Sequence, residues 1–213
     1  MIGEIVLYTF SGIIAILILL LLFYRFWFLR DPERAVPEGD NIVSPADGKV
    51  IKVMRIDSED EEQGLKIRKG MFGSIDTLSK DVEGARWLIS IFMSPLDVHV
   101  QRAPMDGRVA GVRYKEGTFV AANSLDALKN EKNEIILEEL ETKVKVIQIA
   151  GFLARRIQCF VKKGDHVLKG EKIGRIIIGS QVSMILPEGY SIRVKQGDRV
   201  KAGESIIAEY GLD

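Results

Sequence analysis

Three things are scarce in this sequence of 213 residues: cysteine, histidine and net charge. The single cysteine, Cys159, has no partner for an intramolecular disulfide, so the chain either occupies a reducing compartment or does not rely on cross-links. Because Cys159 lies among apolar residues, we expect it to be packed within a strand. Thirty basic and thirty acidic residues give a net charge of zero, which argues against nucleic acid as a partner.

Charge is absent altogether from the segment between Ile5 and Tyr24. An apolar run of this length matches a hydrocarbon layer roughly 30 Å thick, so it predicts a membrane helix. A cleaved signal peptide would begin with basic residues and end at small ones, whereas here Glu4 comes first and aromatic residues follow. A buried helix of a soluble fold is the alternative.

Basic residues flank the apolar run on one side. Arg25 and Arg30 lie where a positively charged cytoplasmic flank belongs. We therefore assign residues 1–30 to a membrane anchor and residues 31–213 to a body on the cytoplasmic side of the cell membrane.

The body is rich in short apolar runs separated by Gly and Asp turns, a pattern typical of a mainly β fold. It begins near Asp40 after a linker that contains prolines. Helix is scarce: residues 57–64 form an acidic loop, and residues 123–131 form one short helical turn capped by Asn123 or Ser124. The predicted strands are residues 49–56, 86–93, 107–114, 144–150, 155–161, 171–178, 181–187 and 205–210.

Two stretches occur twice. The sequence GDHVLKGE at residues 164–171 returns as GDRVKAGE at 197–204, and SPADGKV at 44–50 returns loosely as APMDGRV at 103–109. The first pair resembles the turns of lipoyl- and biotinyl-carrier domains, which implies a barrel-sandwich (lipoyl-like) body. The Met-Lys-Met or Asp-Lys-Ala tripeptide that would carry a prosthetic group in those domains is absent from the sequence.

The two histidines are the only imidazoles available for proton transfer near neutral pH. His166 lies in a repeated turn that has Arg199 in its place in the other copy, so we expect His166 at the surface. His99 follows an apolar strand within FMSPLDVHVQRAP, and loops after strands often present site residues. A structural imidazole is the alternative. The neighbouring Asp97 does not by proximity alone form a dyad with it.

The stretch RIIIGSQVSMILP contains the candidate nucleophile. Its apolar character predicts a buried strand, yet it is broken by Gly179 and Ser180, and an interior glycine marks either a bulge or a close approach of the backbone. A serine is unreactive without a base beside it. By itself a Gly-Ser pair is a weak signal, and Gly73-Ser74 looks like an ordinary loop.

Taken in order, the anchor, FLRDPERAVP, SPADGKV, FMSPLDVHVQRAP, IAGFLARRIQCFVKKGD and IGSQVSMILP resemble the short form of the phosphatidylserine decarboxylases and the archaeal archaetidylserine decarboxylases. These are pyruvoyl enzymes made as proenzymes. The resemblance implies that the hydroxyl of Ser180 attacks the carbonyl of Gly179, which splits the chain into a β-chain, 1–179, and an α-chain, 180–213. The two chains stay associated, and Ser180 becomes the pyruvoyl cofactor.

The resemblance also assigns roles. The amine of a phospholipid's serine head group forms a Schiff base with the pyruvoyl group, and loss of carbon dioxide leaves ethanolamine. His99 serves as base and Asp47 orients it, and no metal is needed. Long forms carry a second histidine where this chain has Arg102, which either binds the substrate's phosphate or carboxylate or makes a structural ion pair. Arg155 and Arg156 contact anionic head groups or form a solvated strand edge.

Two other functions compete with this one. A membrane-anchored adaptor with a lipoyl-like domain explains the anchor and the repeated turns, but it leaves the Gly179-Ser180 break unexplained and usually brings coiled-coil heptads that are absent here. A serine hydrolase would need a G-x-S-x-G elbow, and the sequence around Ser180 has none. The sequence does not distinguish acyl from isoprenoid lipid tails. Exposed strand edges favour pairing into a homodimer.

Overall fold

The computed structural model describes residues 2–56, 65–68, 74–77, 81–116, 131–150, 156–177 and 180–211. The predicted acidic loop, the predicted helical turn apart from Glu131, and Gly179 lie outside these residues. The helices are α1 (Ile2–Leu22) and a π-helix (Phe23–Phe28). The strands are β1 (Asn41–Val43), β2 (Gly48–Arg55), β3 (Leu65–Arg68), β4 (Ser74–Thr77), β5 (Ala85–Met93), β6 (Val100–Arg102), β7 (Gly107–Lys115), β8 (Lys132–Glu139), β9 (Thr142–Ile149), β10 (Arg156–Cys159), β11 (His166–Val167), β12 (Lys172–Ile177), β13 (Ser180–Pro187), β14 (Tyr190–Ile192), β15 (Arg199–Val200) and β16 (Ile206–Tyr210).

The strands form antiparallel sheets around a shared core. The largest sheet has the order β11-β7-β8-β9-β13-β5-β2-β15 and curls into a half-barrel. Two three-stranded sheets, β10-β12-β6 and β1-β16-β14, contribute to the same main core, and β3 and β4 form a separate hairpin. The prediction of a mainly β body with one N-terminal apolar helix is confirmed.

The apolar helix extends over Gly3–Phe28, with a mean hydropathy of 2.8 and none of its most apolar window buried. It is long and apolar enough to cross a membrane. The alternative of a buried helix in a soluble fold does not match these exposed side chains. Phe28, its last residue, is the exception, because it is buried against the body.

Strand β13 shows why the carboxyl-terminal apolar run is so uniform. It lies inside the large sheet, paired with β5 on one side and β9 on the other. Val182 and Met184 pack in the main core, while Ile185 packs in a second cluster on the opposite face. Because the strand is buried on both faces, it carries apolar residues on each of them, and its polar side chains Gln181 and Ser183 are buried as well.

Each of the eight predicted strands overlaps an observed one, but eight of the sixteen observed strands were not predicted, and β8 is the longest of these. The charges of this strand concealed it. Glu134 is buried on β8, where it pairs with the fully buried Lys145 of β9 at 2.9 Å. Buried charges are tolerated when they are paired, so the acidic residue does not mark a surface loop here.

The prediction that Cys159 is packed within a strand is wrong, because its side chain is exposed. It ends β10, an edge strand that pairs only with β12 among the described strands. Of the described side chains of β10, only that of Ile157 is buried. The apolar neighbours of Cys159 therefore did not indicate its exposure. His166 is exposed, as predicted.

The duplicated sequences are duplicated structures. Strand β11 pairs with β7 so that Val167 faces Gly107, and β15 pairs with β2 so that Val200 faces Gly48. Both valines are buried. The repeated G-D-x-V-x-x-G turn thus packs its valine inward, as predicted, beside the strand that follows each P-x-D-G sequence.

The aspartates of the two P-x-D-G sequences make the same bond. Asp47 accepts a hydrogen bond at 2.8 Å from the backbone N–H of Ala202, and Asp106 accepts one at 2.8 Å from that of Lys169. Ala202 and Lys169 occupy equivalent positions in the repeated turn. One bond of Asp47 is therefore structural, and any additional role must come from contacts that Asp106 lacks.

Replacement of Gly48 by alanine should destabilise the body strongly. Gly48 has a φ of +147°, and a Cβ there would lie 2.2 Å from the carbonyl oxygen of Phe92. Overpacking of this kind costs about 1 to 3 kcal/mol or more in the free energy of unfolding. Gly197→Ala is the matched control, because Gly197 has a φ of +105° but no atom within 4 Å of the place that a Cβ would occupy. Thermal unfolding in detergent should show a larger fall in melting temperature for Gly48→Ala than for Gly197→Ala. Equal falls in melting temperature would contradict the clash.

Candidate active site

The Gly179-Ser180 position links two sheets. Strand β12 ends at Ile177 in a three-stranded sheet, and β13 begins at Ser180 in the large sheet. The apolar run of residues 175–187 is therefore two strands, and the chain passes from one sheet to the other across residues 178–179. Gly179 and Arg155 lie outside the described residues, and Ser180 and Arg156 are described through their backbones alone.

His99 lies beside this link. Its carbonyl oxygen accepts hydrogen bonds from the backbone N–H of Ile176, at 3.2 Å, and from Nε2 of Gln101, at 2.9 Å. The same Nε2 of Gln101 lies 3.6 Å from the sulfur of Met93, which is the register partner of Ser180 on β5. Two routes, one through β12 and one through Gln101, thus connect His99 to the immediate neighbourhood of Ser180.

The imidazole of His99 is buried and oriented. Its Nδ1 lies 2.9 Å from the carbonyl oxygen of Asp97. Because a carbonyl oxygen can only accept, Nδ1 carries the proton and Nε2 of the neutral ring presents a lone pair. Nε2 is buried and has no hydrogen-bond partner among the described residues. A neutral imidazole with a free lone pair at Nε2 is able to accept a proton, which is what a general base requires.

Burial is the main cause that lowers the pKa of His99 below its usual 6.5. The bond to the Asp97 carbonyl and the negative charges of Asp97 and Asp47 act in the opposite direction, while the positive charge of Arg30 adds to the lowering. A lowered pKa keeps the ring neutral at pH 7, and the neutral ring is the form that accepts a proton.

The carboxylate of Asp97 does not serve the imidazole directly. Its Oδ2 accepts hydrogen bonds from the backbone N–H and the hydroxyl of Ser94, at 2.8 and 2.6 Å. Its Oδ1 pairs with Arg199 at 3.1 Å. Asp97 therefore holds the loop in shape and offers its carbonyl, rather than its carboxylate, to His99.

Asp47 is buried beside the site but is bonded elsewhere. Besides the N–H of Ala202, its carboxylate binds Arg34 at 2.9 and 3.0 Å. Among the described contacts it makes no hydrogen bond to His99, whose Nδ1 is occupied by the Asp97 carbonyl. The effect of Asp47 on His99 in this structure is through its charge. Its role as the orienting group stays a prediction.

Arg102 makes the structural ion pair that was one of its two alternatives. Its guanidinium donates to Asp31 Oδ1 at 2.6 Å and to the carbonyl of Gly170 at 2.8 Å. Lys172 pairs with the other oxygen of Asp31. These partners already occupy the guanidinium. A contact between Arg102 and the substrate stays a prediction.

A chain of buried amides behind His99 escaped the sequence analysis. Nε2 of Gln148 donates to Gln101 at 2.9 Å, and Nδ2 of Asn133 donates to Gln148 at 2.8 Å. All three side chains are fully buried. Glutamine within the apolar runs VHVQRAP and VKVIQIA was the available signal, because a buried amide needs a hydrogen-bonding partner.

No group of three or more His, Cys, Asp and Glu side chains capable of holding a metal occurs within the described ranges. The sequence profile of the phosphatidylserine decarboxylase family matches residues 20–208. The chain belongs to the phosphatidylserine decarboxylase family. The resemblance drawn from the motifs is thereby confirmed.

Three relatives of this family show the extent of the similarity. One from Methanothermobacter thermautotrophicus, named an archaetidylserine decarboxylase proenzyme, is 41% identical over 92% of this chain and 85% of its own. One of the same name from Methanocaldococcus jannaschii is 40% identical over 91% of this chain and 93% of its own. A phosphatidylserine decarboxylase proenzyme from Chlorobium phaeobacteroides is 39% identical over 95% of this chain and 84% of its own. The family profile, which matches residues 20–208, spans the whole site described above.

Proposed function

We propose that this protein is a proenzyme that cleaves itself between Gly179 and Ser180 and then decarboxylates the serine head group of a membrane phospholipid. The observation that carries the proposal is Nε2 of His99, which is buried beside the end of β12 and has no hydrogen-bond partner among the described residues. Membership of the decarboxylase family supports it, as do the proenzyme names of the relatives.

Self-cleavage requires a base and a nucleophile. Nε2 of His99 takes the proton of the Ser180 hydroxyl while Oγ of Ser180 bonds to the carbonyl carbon of Gly179. The peptide C–N bond breaks, the proton passes to the freed amine, and an ester links the two residues. Loss of the Ser180 α-proton then expels Gly179 as a carboxylate and leaves dehydroalanine. Water hydrolyses the dehydroalanine, ammonia leaves, and the 180–213 chain begins with a pyruvoyl group.

The residues present fit such a group. Its attachment point opens β13, whose backbone is held in register against Met93 of β5. Gln181, the next residue, is buried, and its Oε1 has no partner among the described residues. Together with Nε2 of His99 this leaves two buried polar atoms available near a carbonyl group and an amine-bearing substrate.

In the mature enzyme the pyruvoyl group supplies the electron sink for decarboxylation. The chain's own residues hold the proton and exclude water. His99 can carry a proton at Nε2 and return it to the substrate carbon, while Nδ1 stays bonded to the Asp97 carbonyl and fixes the ring. His99 is itself only 1% exposed, so the imidazole is shielded from solvent. An apolar environment also favours departure of a carboxylate as carbon dioxide.

The apolar helix gives the enzyme access to its substrate. A span over Gly3–Phe28 would hold the body at the bilayer surface, and the positively charged flank formed by Arg25 and Arg30 favours a body on the cytoplasmic side. Phosphatidylserine and archaetidylserine share the serine head group on which the proposed chemistry acts. Association of the body into a homodimer stays a prediction.

Carbon dioxide release from the head group tests the function. The full chain in detergent, supplied with phosphatidylserine or archaetidylserine labelled at the serine carboxyl, should release labelled carbon dioxide and form the ethanolamine lipid. The two substrates also reveal which tails are accepted. Free serine, with no lipid tail, is the comparison for lipid dependence. A freshly purified chain that releases none from either lipid would refute the proposal.

A further inference from the structure

The seven residues FLRDPER, positions 28–34, join the apolar helix to the body, and we call them the connecting segment. This segment contacts each candidate site residue other than Gly179 and Ser180. The contacts are Phe28 with His99, Asp31 with Arg102, and Arg34 with Asp47. A simple tether would not need to reach all three side chains.

The contact of Phe28 with His99 is direct. The two ring centroids lie 4.2 Å apart and the ring planes are tilted by 35°. Phe28 is 3% exposed, whereas Phe26 of the same π-helix is 72% exposed. Tyr24 stacks on the far side of Phe28 at 5.6 Å. The end of the π-helix thus places an aromatic ring against the imidazole and keeps water away from it.

Arg30 attaches the same segment to the loop that carries His99. Its guanidinium donates to the carbonyl of Leu96 at 2.6 Å and lies 4.5 Å from the ring of Trp27. Leu96 lies in the connection between β5 and β6. The segment therefore holds both the imidazole and the backbone three residues before it.

The two remaining contacts are buried ion pairs. Arg34 and Asp47 have side chains that are 4% and 13% exposed, and those of Arg102 and Asp31 are 10% and 18% exposed. Removing one partner of a buried pair leaves an uncompensated charge and is strongly destabilising. The connecting segment is consequently not free to leave the site.

We propose that the connecting segment is part of the active site and that Phe28 is a positioning residue that holds the imidazole of His99 for proton transfer. The inference rests on the proposed function, because it is His99 acting as a base that needs positioning. The charged groups that face the imidazole are Arg30, Asp97 and Asp47. Phe28 adds no charge to this set and acts by packing.

The test compares Phe28→Ala and Phe28→Leu in the full chain in detergent, with Phe26→Ala as the control. Phe28→Ala should slow self-cleavage by on the order of tenfold, as small misplacements of reacting groups do. It should also admit water to the imidazole and so raise the pKa of His99. The fall in cleavage rate toward acidic pH should then begin at a higher pH than in wild type. Phe28→Leu keeps an apolar group in place. Its cleavage rate should be intermediate and should fall at the same acidic pH as that of wild type. Phe26→Ala should behave as wild type.

A second measurement is independent of cleavage. The chain has only two histidines, so labelled imidazole signals are assigned with His166→Gln alone. In a Ser180→Ala background, where the site does not change during the measurement, Phe28→Ala should raise the titration midpoint of His99. Phe28→Leu should leave it near its position in the Ser180→Ala chain.

Loss of thermal stability in Phe28→Ala with an unchanged His99 midpoint and a cleavage rate within twofold of wild type would show a purely structural role and overturn the inference. A wild-type chain that never cleaves would instead refute the proposed function. In that case the titration still decides whether Phe28 shields the imidazole. The two failures are therefore distinguishable.

Discussion

Ser180→Ala is expected to leave the protein as a single 23.8 kDa chain with no decarboxylase activity. Alanine has no hydroxyl to attack the Gly179 carbonyl and cannot become a pyruvoyl group, so both the cleavage and the later chemistry should fall to background. Denaturing gel electrophoresis with intact-mass measurement follows the first, and carbon dioxide release follows the second. The expected effect is complete rather than partial, because no step of the proposed route bypasses this oxygen.

The chain contains its own control for that experiment. Gly73-Ser74 is the other Gly-Ser pair, and Ser74→Ala should be cleaved at Gly179 as in wild type. Similar melting temperatures for the two variants would show that the difference is chemical. A Ser180→Ala protein that is still cut at this position and still releases carbon dioxide would remove Ser180 from the mechanism.

His99→Gln should slow self-cleavage by about 10² to 10⁴-fold, the usual contribution of a general base. Glutamine retains a polar side chain but has no basic nitrogen. The measurement is the rate at which freshly made precursor is converted to two chains. The control is His166→Gln, because His166 is exposed and should not affect the rate.

The pH dependence of the wild-type rate gives the same residue a second test. The neutral imidazole is the active base, so the rate should be lost as the pH falls through the pKa of His99 in the folded protein. Because burial lowers that pKa, cleavage should persist below pH 6.5. Unchanged cleavage in His99→Gln, or a wild-type rate already lost above pH 6.5, would contradict the role of this imidazole.

Hydropathy and turn patterns in the sequence predicted those helices and strands whose formation depends on neighbouring residues. The uncharged N-terminal run predicted the apolar helix, and the short apolar runs separated by Gly and Asp turns predicted the mainly β body. The apolar run ending at Pro187 predicted a buried strand, and β13 is indeed covered on both faces.

The contacts that depend on long-range packing could not be read from the sequence. Asp47 and Arg34 are only 13 residues apart, but nothing in FLRDPERAVP indicates which of its arginines reaches that carboxylate. The pairing of Arg102 with Asp31 joins residues 71 positions apart. Such pairs are chosen by the fold, whereas the sequence shows only that charges are available.

The contacts of the His99 imidazole also depend on packing that the sequence does not show. The family resemblance implied that the carboxylate of Asp47 orients His99, whereas in the structure Nδ1 of His99 is bonded to the carbonyl of Asp97, a group that every residue possesses. No sequence pattern gave Phe28 a role in the site, yet its ring packs on that of His99. Phe28 ends a π-helical turn that begins at Phe23, and no hydropathy pattern predicts a π-helix.

The most direct test of the central claim is the intact mass of freshly purified wild-type protein. Two polypeptides, residues 1–179 and 180–213, are expected, the second with a blocked pyruvoyl start. Their summed mass should equal that of the whole chain plus a water and minus an ammonia, as the proposed route requires. A chain that stays whole while it releases carbon dioxide from serine phospholipids would contradict the account.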